Sequence, residues 1–457
     1  FFRDAGGGDR RHPDVEPRIV GLAMSGAAWR VRLLRGLYAG LLRLALPLAL
    51  LRLYWRGRRD PDHRRRWAER LGHFPPLPRI GCLWVHAVSV GETRAALPLI
   101  RALRTRYPEL PLLVTTTTLT GSRQVREALG DQVQHVYAPY DLPGAVRRFL
   151  RRTRPKLAVI METELWPNLL RRCAVEGIPV LIANARLSER SARGYARIRG
   201  LTAAMLRDVD LIAAQADADA ERFRALGAPR VQVIGNLKYD LTLPEDLPER
   251  GRQLRRALLG EQRLVWIAAS THAGEEEQVL DAFARVRHRW PELLLLLVPR
   301  HPERFDGVAA LCRARGFELV RRGERRLCTP DTAVFLGDSM GELLLFYAAA
   351  DLAFVGGSLV PTGGHNVLEP ALLGLPVAFG PHMFNFSEAG QRLLAADAAW
   401  QVADAAALAA AVDRLLADPR LRRTAGQKGR TVVERHRGAL RALLDRIAAL
   451  LEPSRQT

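Results

Sequence analysis

The chain has 457 residues, of which 48% are hydrophobic and 26% are charged, a composition that excludes a disordered or multi-span protein and predicts two folded domains. Its formal net charge of +21 predicts an anionic partner, and nucleic acid, an anionic membrane and a phosphorylated substrate all fit that charge. The four cysteines form no CxxC or Cys/His ligand pattern, so we expect buried free thiols in a reducing compartment, without disulfides or a structural zinc.

The first 59 residues divide into two segments. Residues 1–23 are rich in Gly, Arg and Asp and lack apolar periodicity, so we expect a disordered or artefactual extension, with Met24 as the natural start. Residues 24–59 are predicted to form a membrane anchor, because no small-residue cleavage site precedes the basic exit. Arg43 and Pro47 interrupt the apolar run, and a spacing of about 100° per residue places Arg32, Arg35 and Arg43 on one side, which favours an interfacial helix over a spanning one.

The rest of the chain alternates short apolar runs with helical patterns, which predicts α/β domains with parallel sheets. We expect strands at Cys82–Val88, Leu112–Thr117, Val133–Tyr137, Leu157–Met161, Ile178–Ile182, Leu211–Ala214, and then at Leu264–Ala269, Leu293–Val298, Phe317–Val320, Ala333–Leu336, Leu352–Val355 and Val377–Phe379. The predicted domains are residues 60–240 and 251–430, with a Pro-rich linker at 241–250 and a helical tail at 431–457.

Neither half has a GxGxxG after its first strand, which disfavours a dinucleotide oxidoreductase. Ligands of doubly wound sheets bind at the carboxyl ends of the strands. Two such halves facing a cleft can hold a nucleotide donor in one half and an acceptor in the other.

Polar residues follow two strands of the first half. Glu92 stands between the first strand and the next helix, where the helix dipole would keep its carboxylate ionised and able to accept a proton; the alternative is an ordinary helix-start acid. Glu162 and Glu164 follow the fourth strand, and a solvated loop is their alternative. Lys238 is one of three lysines in the chain. Its ammonium group offers a compact cation for a phosphate or carboxylate; the alternative is that a lysine stands at this position by chance.

The second half repeats this pattern in longer motifs. STHAGEE, PRHPERF, GDSMGEL, FVGGSL and GGHNVLEP each follow a predicted strand, and their glycines let backbone N–H groups approach a phosphate. A helix is expected to begin near Asn366. Asn366 and Glu369 also have the spacing of a capping box, so a purely structural role is the alternative to binding ribose hydroxyls.

Ten motifs in order, which are HAVSVGE, METELWPN, NARLS, GNLKYD, STHAGEE, PRHPERF, GDSMGEL, FVGGSL, GGHNVLEP and GPHMFNF, resemble those of the Kdo transferases (3-deoxy-D-manno-octulosonic acid transferases). The resemblance implies a GT-B fold of two Rossmann-like domains and inverting transfer of Kdo from CMP-Kdo to the lipid A precursor lipid IVA. It also implies that CMP-Kdo is a substrate and that no cofactor or metal is needed. The implied location is the cytoplasmic face of the cell inner membrane, against an anionic surface.

The same resemblance implies roles for individual residues. Glu92 is similar to the general base of the family, and Glu162 and Lys238 to its transition-state stabilisers. The implied CMP-binding residues are Pro299, Arg300, Met340, Gly341, Glu342, Asn366, Val367, Leu368 and Glu369. Val367 departs from the proline that the family usually has, which affects helix rigidity alone.

Two other functions fit parts of the sequence. A glycosyltransferase or epimerase that uses a uridine nucleotide would share the fold. A basic membrane or nucleic-acid binder would share the charge, but no zinc-finger, RNP-like or clustered Lys/Arg segment supports nucleic acid as a partner. Metal binding is disfavoured because His86, His272, His301, His365 and His382 follow different strands without a ligand repeat.

Overall fold

The computed structural model describes residues 26–77 and 79–452; the predictions for residues 1–23 lie outside the described residues. The described residues divide into two compact units, one with residues 26–77, 79–94 and 450–452 and Leu103–Val233, the other with Ala95–Ala102 and Ile234–Ala449. The predicted domain boundaries stay predictions.

Within the described residues, fourteen strands form two sheets of seven, and every pairing is parallel. The strands are β1 (Leu83–His86), β2 (Leu112–Thr116), β3 (Gln134–Tyr137), β4 (Leu157–Met161), β5 (Val180–Ala185), β6 (Leu211–Ala214), β7 (Val231–Val233), β8 (Val265–Thr271), β9 (Leu294–Pro299), β10 (Leu319–Arg321), β11 (Val334–Leu336), β12 (Leu352–Val355), β13 (Val377–Phe379) and β14 (Ala399–Gln401). All twelve predicted strands are confirmed. The two that the sequence did not predict, β7 and β14, are edge strands of three residues.

Helices connect the strands, as parallel pairing requires. They are α1 (Gly26–Arg59), α2 (Val90–Arg106), α3 (Leu119–Leu129), α4 (Pro143–Thr153), α5 (Pro167–Val175), α6 (Glu189–Arg197), α7 (Arg199–Arg207), α8 (Asp217–Ala225), α9 (Leu247–Leu254), α10 (Glu276–Arg287), α11 (Phe305–Ala314), α12 (Leu343–Ala348), α13 (Leu368–Leu372), α14 (Ser387–Ala395), α15 (Ala405–Ala417), α16 (Pro419–Arg435) and α17 (Ala439–Leu451). Helix α9 includes residues 247–250 of the predicted linker, and its Leu247 is buried.

The first sheet has the strand order β3-β2-β1-β4-β5-β6-β7 and the second has β10-β11-β9-β8-β12-β13-β14. The direction of chain progression reverses between β1 and β4 in the first sheet and between β8 and β12 in the second. These reversals are switch points, where adjacent connections leave on opposite faces and open a crevice at the carboxyl ends of the strands.

Each unit has its own apolar core. The central strands are buried along their whole length, as expected for parallel sheets covered by helices on both faces. Trp84 and Phe149 pack together in the first core, with ring centroids 4.9 Å apart, and Trp266 and Phe283 in the second, 6.2 Å apart. All four cysteines are buried free thiols, as predicted.

Helix α1 is long and apolar enough to cross a membrane by its length and composition, with a mean hydropathy of 1.5 for the candidate span. Its exposed face carries large apolar side chains, which are Leu33, Leu34, Leu37, Leu41, Leu44, Leu48 and Leu51, followed by Tyr54 and Trp55. Arg32 and Arg43 are also exposed. The helix therefore presents apolar and basic side chains together.

The opposite face of α1 packs on the first unit, and here the predicted arginine stripe needs a correction. Arg35 does not share the exposed side of Arg32 and Arg43; it is half-buried and pairs with Asp208 at 3.6 Å. Tyr38, one turn further on, donates a hydrogen bond to Asp141. Ala39 is buried in the same contact. An ion pair and a hydrogen bond therefore fix the side on which the helix docks.

The two arginines at the start of α1 provide a matched test of this docking. Arg35→Gln leaves Asp208 partly buried without its Arg35 partner and should lower the free energy of unfolding by about 1–3 kcal/mol, less than a fully buried pair would lose because Arg171 also reaches Asp208. Arg32→Gln, on the exposed side, should change it by less than about 0.5 kcal/mol. Denaturant unfolding in detergent measures both, and equal effects would contradict the docking role of Arg35.

Candidate active site

The carboxyl ends of β1 and β4 bring the predicted residues of the first unit together. The two strands are neighbours in register, with His86 opposite Ile160. Glu92 follows β1, and Glu162 and Glu164 follow β4, so all three carboxyl groups lie at the switch point of this sheet. Glu162 has a φ of +55°, in the left-handed region that a non-glycine residue enters at a cost of about 1–3 kcal/mol.

Both carboxylate oxygens of Glu92 are held at the start of α2. The backbone N–H of Val88 donates to Oε2 at 2.8 Å, and the Ser89 hydroxyl donates to Oε1 at 3.0 Å. The Glu92 backbone N–H in turn donates to Ser89 Oγ at 3.3 Å. The arrangement resembles a capping box, with the backbone N–H of Val88 in place of that of the N-cap residue Ser89. Glu92 therefore has the structural role that was given as its alternative. The arrangement also fixes the carboxylate in one orientation at the sheet edge.

The expectation of a permanently ionised Glu92 is corrected by the structure. Its residue is 8% exposed, and burial raises the pKa of the carboxyl group to about 7, with further contributions from the charges of Glu162 and Glu164. The bonds from Val88 and Ser89 oppose this shift without cancelling it. Glu92 therefore exchanges a proton near neutral pH, which suits a general base better than a fixed charge does.

Aromatic side chains line the same edge. Trp166 Nε1 donates to Glu164 Oε2 at 2.7 Å, and its ring lies edge-on to His86 with centroids 5.0 Å apart. His86 is fully buried, burial lowers its pKa to about 4, and its Nε2 has no hydrogen-bond partner among the described residues. A neutral imidazole ring and an indole ring thus lie beside three carboxyl groups, one of which accepts the indole N–H. The sequence had marked Trp166 only as part of a motif.

In the second unit, an open cavity of about 260 Å³ lies at the carboxyl ends of β9, β11 and β12. Six of the predicted nucleotide-binding residues line it, which are Pro299, Arg300, Met340, Gly341, Asn366 and Glu369. Ser270, Ser339, Tyr347 and His365 also line it and were not predicted as ligands. The cavity combines backbone and side-chain donors with one guanidinium group, which is the chemistry of a nucleotide site.

The other three predicted residues are not in the lining. Glu342 Oε1 accepts a hydrogen bond from Arg322 at 2.8 Å, and its Oε2 accepts one from the Ser339 hydroxyl at 2.5 Å. Val367 and Leu368 are completely buried. These three residues therefore lie outside the lining of the cavity. The sequence motifs could not distinguish them from the residues that line it.

Asn366 and Glu369 pair as the capping-box spacing suggested. Asn366 Nδ2 donates to Glu369 Oε1 at 3.0 Å, and the Leu368 N–H donates to Asn366 Oδ1 at 3.0 Å. The helix begins at Leu368, two residues later than predicted. Burial raises the pKa of Glu369. Both residues line the cavity, so the capping arrangement is compatible with a ligand role.

Lys238 lies in the second unit, in a 3₁₀ turn at Leu237–Tyr239. Its Nζ donates to the carbonyl of Asn385 at 3.1 Å and lies 5.0 Å from the centre of the Phe386 ring. The ammonium is thus held beside the GPHMFNF segment.

Glu275 is a residue whose importance the sequence did not reveal. It is fully buried, and its carboxylate accepts backbone hydrogen bonds from His272 (3.0 Å), Gly357 (2.6 Å), Ser358 (2.9 Å) and Leu359 (2.8 Å). The loops after β8 and β12 are therefore tied to one side chain. Only the run of three acids at the start of α10 hinted at such a role.

No group of three or more His, Cys, Asp or Glu side chains among residues 26–77 and 79–452 is arranged to hold a metal ion. The expectation that the reaction needs no metal or cofactor stays a prediction.

Comparisons with known proteins identify the family. A family model described as 3-deoxy-D-manno-octulosonic-acid transferase (kdotransferase) matches residues 65–241. A 3-deoxy-D-manno-octulosonic acid transferase of Haemophilus influenzae is 44% identical over 92% of this chain and 99% of its own. The enzyme of that name from Bordetella pertussis is 39% identical over 90% of this chain and 98% of its own.

A solved glycosyltransferase from Rickettsia africae has the same fold, with a TM-score of 0.53 at 12% identity, over 82% of this chain and 100% of that one. Together with the two parallel sheets, this confirms the predicted class, α/β of the GT-B type.

The role of Glu275 can be tested against a control residue on α10, the helix that it precedes. Glu275→Gln replaces one acceptor oxygen by an NH₂ group facing backbone N–H donors, and should lower the free energy of unfolding by about 3 kcal/mol. Asp281→Asn removes an exposed ion pair on the same helix and should cost at most about 1 kcal/mol. Calorimetric or denaturant unfolding compares them; a Glu275→Gln variant as stable as the Asp281→Asn control would show that the four bonds are not needed.

Proposed function

The chain belongs to the 3-deoxy-D-manno-octulosonic acid (Kdo) transferase family and is a glycosyltransferase, and on this premise we propose that it transfers Kdo from CMP-Kdo to lipid IVA with inversion at the anomeric carbon. The acceptor, the stereochemistry and the catalytic residues are part of this proposal. So is its location on the cytoplasmic face of the inner membrane, in lipid A and lipopolysaccharide biosynthesis.

The observation that carries the mechanism is the oriented carboxyl group of Glu92, with a pKa raised to about 7 by burial. As the acceptor hydroxyl oxygen attacks the anomeric carbon, its proton passes to Glu92. The bond between that carbon and the CMP phosphate oxygen breaks, and CMP leaves with the electron pair. An ionised Glu92 has lone pairs for the proton, because each of its oxygens accepts one hydrogen bond from the described part of the chain.

Glu162 and Lys238 are assigned opposite electrostatic tasks. The carboxylate of Glu162 would offset positive charge on an oxocarbenium-like centre, and the ammonium of Lys238 would offset the negative charge that develops on CMP. Lys238 is held in place by the carbonyl of Asn385 and the ring of Phe386, which positions its ammonium group for this task.

CMP is proposed to bind in the second-unit cavity. Arg300 supplies a positive charge for the phosphate, and the backbone of Gly341 can approach it closely, since a φ of +82° suits glycine there. Asn366 and Glu369 offer an amide and a carboxyl group to the ribose hydroxyls.

Helix α1 is proposed to hold the enzyme on the membrane that contains the lipid acceptor. Its exposed leucines suit the acyl layer, and exposed Arg32, Arg43, Arg52 and Arg56 suit anionic headgroups. The net charge of +21 then has its partner in lipid phosphate.

The role of Glu92 predicts both a variant effect and a pH effect. Glu92→Gln should lower kcat about 10²- to 10⁴-fold, the usual contribution of a general base, while the affinity for CMP stays within about twofold. Glu127→Gln, on the exposed side of α3, is the control and should be fully active. Near-normal turnover of the Glu92→Gln enzyme would remove Glu92 from the mechanism.

The pH profile of kcat/KM is a separate test. Since the reactive form of Glu92 is ionised, kcat/KM should fall about tenfold per unit as the pH decreases below about 7, the value to which burial raises its pKa. It should level off above that pH. An acid limb centred near the ordinary glutamate value of about 4.3 would contradict the buried, carboxylate-flanked environment of Glu92.

Nucleotide selectivity separates this proposal from a uridine-nucleotide enzyme of the same fold. Calorimetric titration should show that CMP binds at least about tenfold more tightly than UMP, a difference of about 1.4 kcal/mol. Preference for UMP would overturn the proposed donor. Incubation with CMP-Kdo and lipid IVA, read by product mass, then tests the acceptor directly.

A further inference from the structure

Two histidines meet at the switch point of the second sheet, beside the cavity. His272 follows β8 directly, and the loop after β12 returns so that the His365 N–H donates to the carbonyl of Gly356 at 3.2 Å. This position in the second sheet corresponds to that of the Glu92 and Glu162 pair in the first. Polar groups at a switch point face whatever ligand occupies the crevice.

The two imidazole rings are joined edge to edge. Their Nε2 atoms are 2.8 Å apart, and the ring planes differ by 7° with centroids separated by 5.1 Å. Two ring nitrogens at this distance need one proton between them, so one ring donates and the other accepts. A further proton on the pair gives it a charge of +1 and an N–H on Nδ1 of each ring, a form that a bound anion would stabilise.

The surrounding backbone fixes this contact. A Cβ atom on Gly357 would lie 2.9 Å from Cδ2 of His365, so the ring packs directly on the glycine backbone. Glu275 accepts hydrogen bonds from the N–H groups of both His272 and Gly357, which ties together the two loops that carry the histidines. The two loops therefore hold the histidine rings in contact, while both side chains remain partly exposed.

The electrostatic environment is positive. Burial lowers the pKa of His272, Glu275 opposes this, and the charges of His301, Arg300 and Arg304 lower it further. The two neighbouring acids already have partners: Glu275 accepts four backbone hydrogen bonds, and Glu276 pairs with Arg304 at 2.9 Å. An anionic group of a ligand would be stabilised here.

The cavity places such a ligand group in reach. His365 lines it together with Ser270 and Arg300, and His272 adjoins the cavity through its contact with His365. A sugar attached to a nucleotide in the cavity would therefore have the histidine pair as a neighbour.

We propose that His272 and His365 form the subsite that binds the carboxylate of the acidic donor sugar. The inference rests on the proposed function, since a ulosonic acid has its carboxyl group on the carbon next to the reacting anomeric carbon. When the carboxylate binds, the pair takes up one proton from solvent and donates N–H groups to the anion. CMP itself lacks this carboxylate, so the subsite distinguishes an acidic sugar nucleotide from the free nucleotide.

The test compares two ligands in the same enzyme. In His365→Asn and His272→Gln, the KM for CMP-Kdo should rise about 10- to 100-fold, as expected for losing a hydrogen bond to a charged group, while the inhibition constant of CMP should change less than about twofold. His288→Gln, an exposed histidine at the end of α10, is the control and should leave both constants unchanged. The CMP constant also reports whether each variant retains a folded cavity.

The possible results of this experiment distinguish a failure of the proposed subsite from a failure of the proposed function. Equal weakening of CMP and CMP-Kdo would show that the pair only supports the cavity, and no weakening of either would show that it has no binding role; both results overturn the subsite and leave Kdo transfer intact. Failure of the unmodified enzyme to bind CMP would instead overturn the proposed donor. Calorimetry in two buffers adds a direct check, because binding of CMP-Kdo but not CMP should take up a proton.

Discussion

The buried carboxylate of Glu275 is the constraint on which the second unit's site depends. Removing a carboxylate from water is costly unless hydrogen bonds replace its hydration, and here four backbone N–H groups do so. Those groups come from the ends of two adjacent strands, so a single side chain sets the distance between the β8 and β12 loops. The histidine contact and the close packing on Gly357 follow from that distance. Glycine is required there because the loops are held too close for a Cβ.

Asp141 plays the same part in the first unit. It is buried, which raises its pKa to about 7, and it accepts hydrogen bonds from the backbone N–H groups of Asn168 and Leu169 at the start of α5. Tyr38 of α1 donates to the same carboxyl group. The apolar helix is therefore linked through one acid to the segment that carries Glu162, Glu164 and Trp166. Docking of α1 and the geometry of the carboxylate edge are physically coupled.

Much of the fold was predictable because strands buried on both faces are rich in apolar residues, as the twelve predicted segments are. The edge strands β7 and β14 have only three residues each, and β14 lies in an alanine-rich stretch. Arg35 was misplaced for another reason. Helical periodicity gives the side of α1 on which a residue lies, but it does not show which side packs on the rest of the unit. Asp208, the partner of Arg35, is also remote in sequence. The linker prediction rests partly on Pro248, which lies in the first turn of α9, where proline is accepted; the linker bounds stay a prediction.

In the candidate site, too, the spacing of residues in the sequence predicted some properties, while others depend on packing in the folded chain. Strand-end motifs located Glu92 and the cavity, but the proton affinity of Glu92 depends on burial and on Glu162 and Glu164, which only the folded sheet brings near. The two roles considered for Glu92, a capping acid and a general base, are also compatible with each other. Bonds from Val88 and Ser89 occupy one acceptor position on each oxygen of Glu92, which leaves lone pairs for a proton. The cap would therefore orient the carboxylate that is proposed to accept the proton, so replacing Glu92 would disturb both the start of α2 and the proposed chemistry.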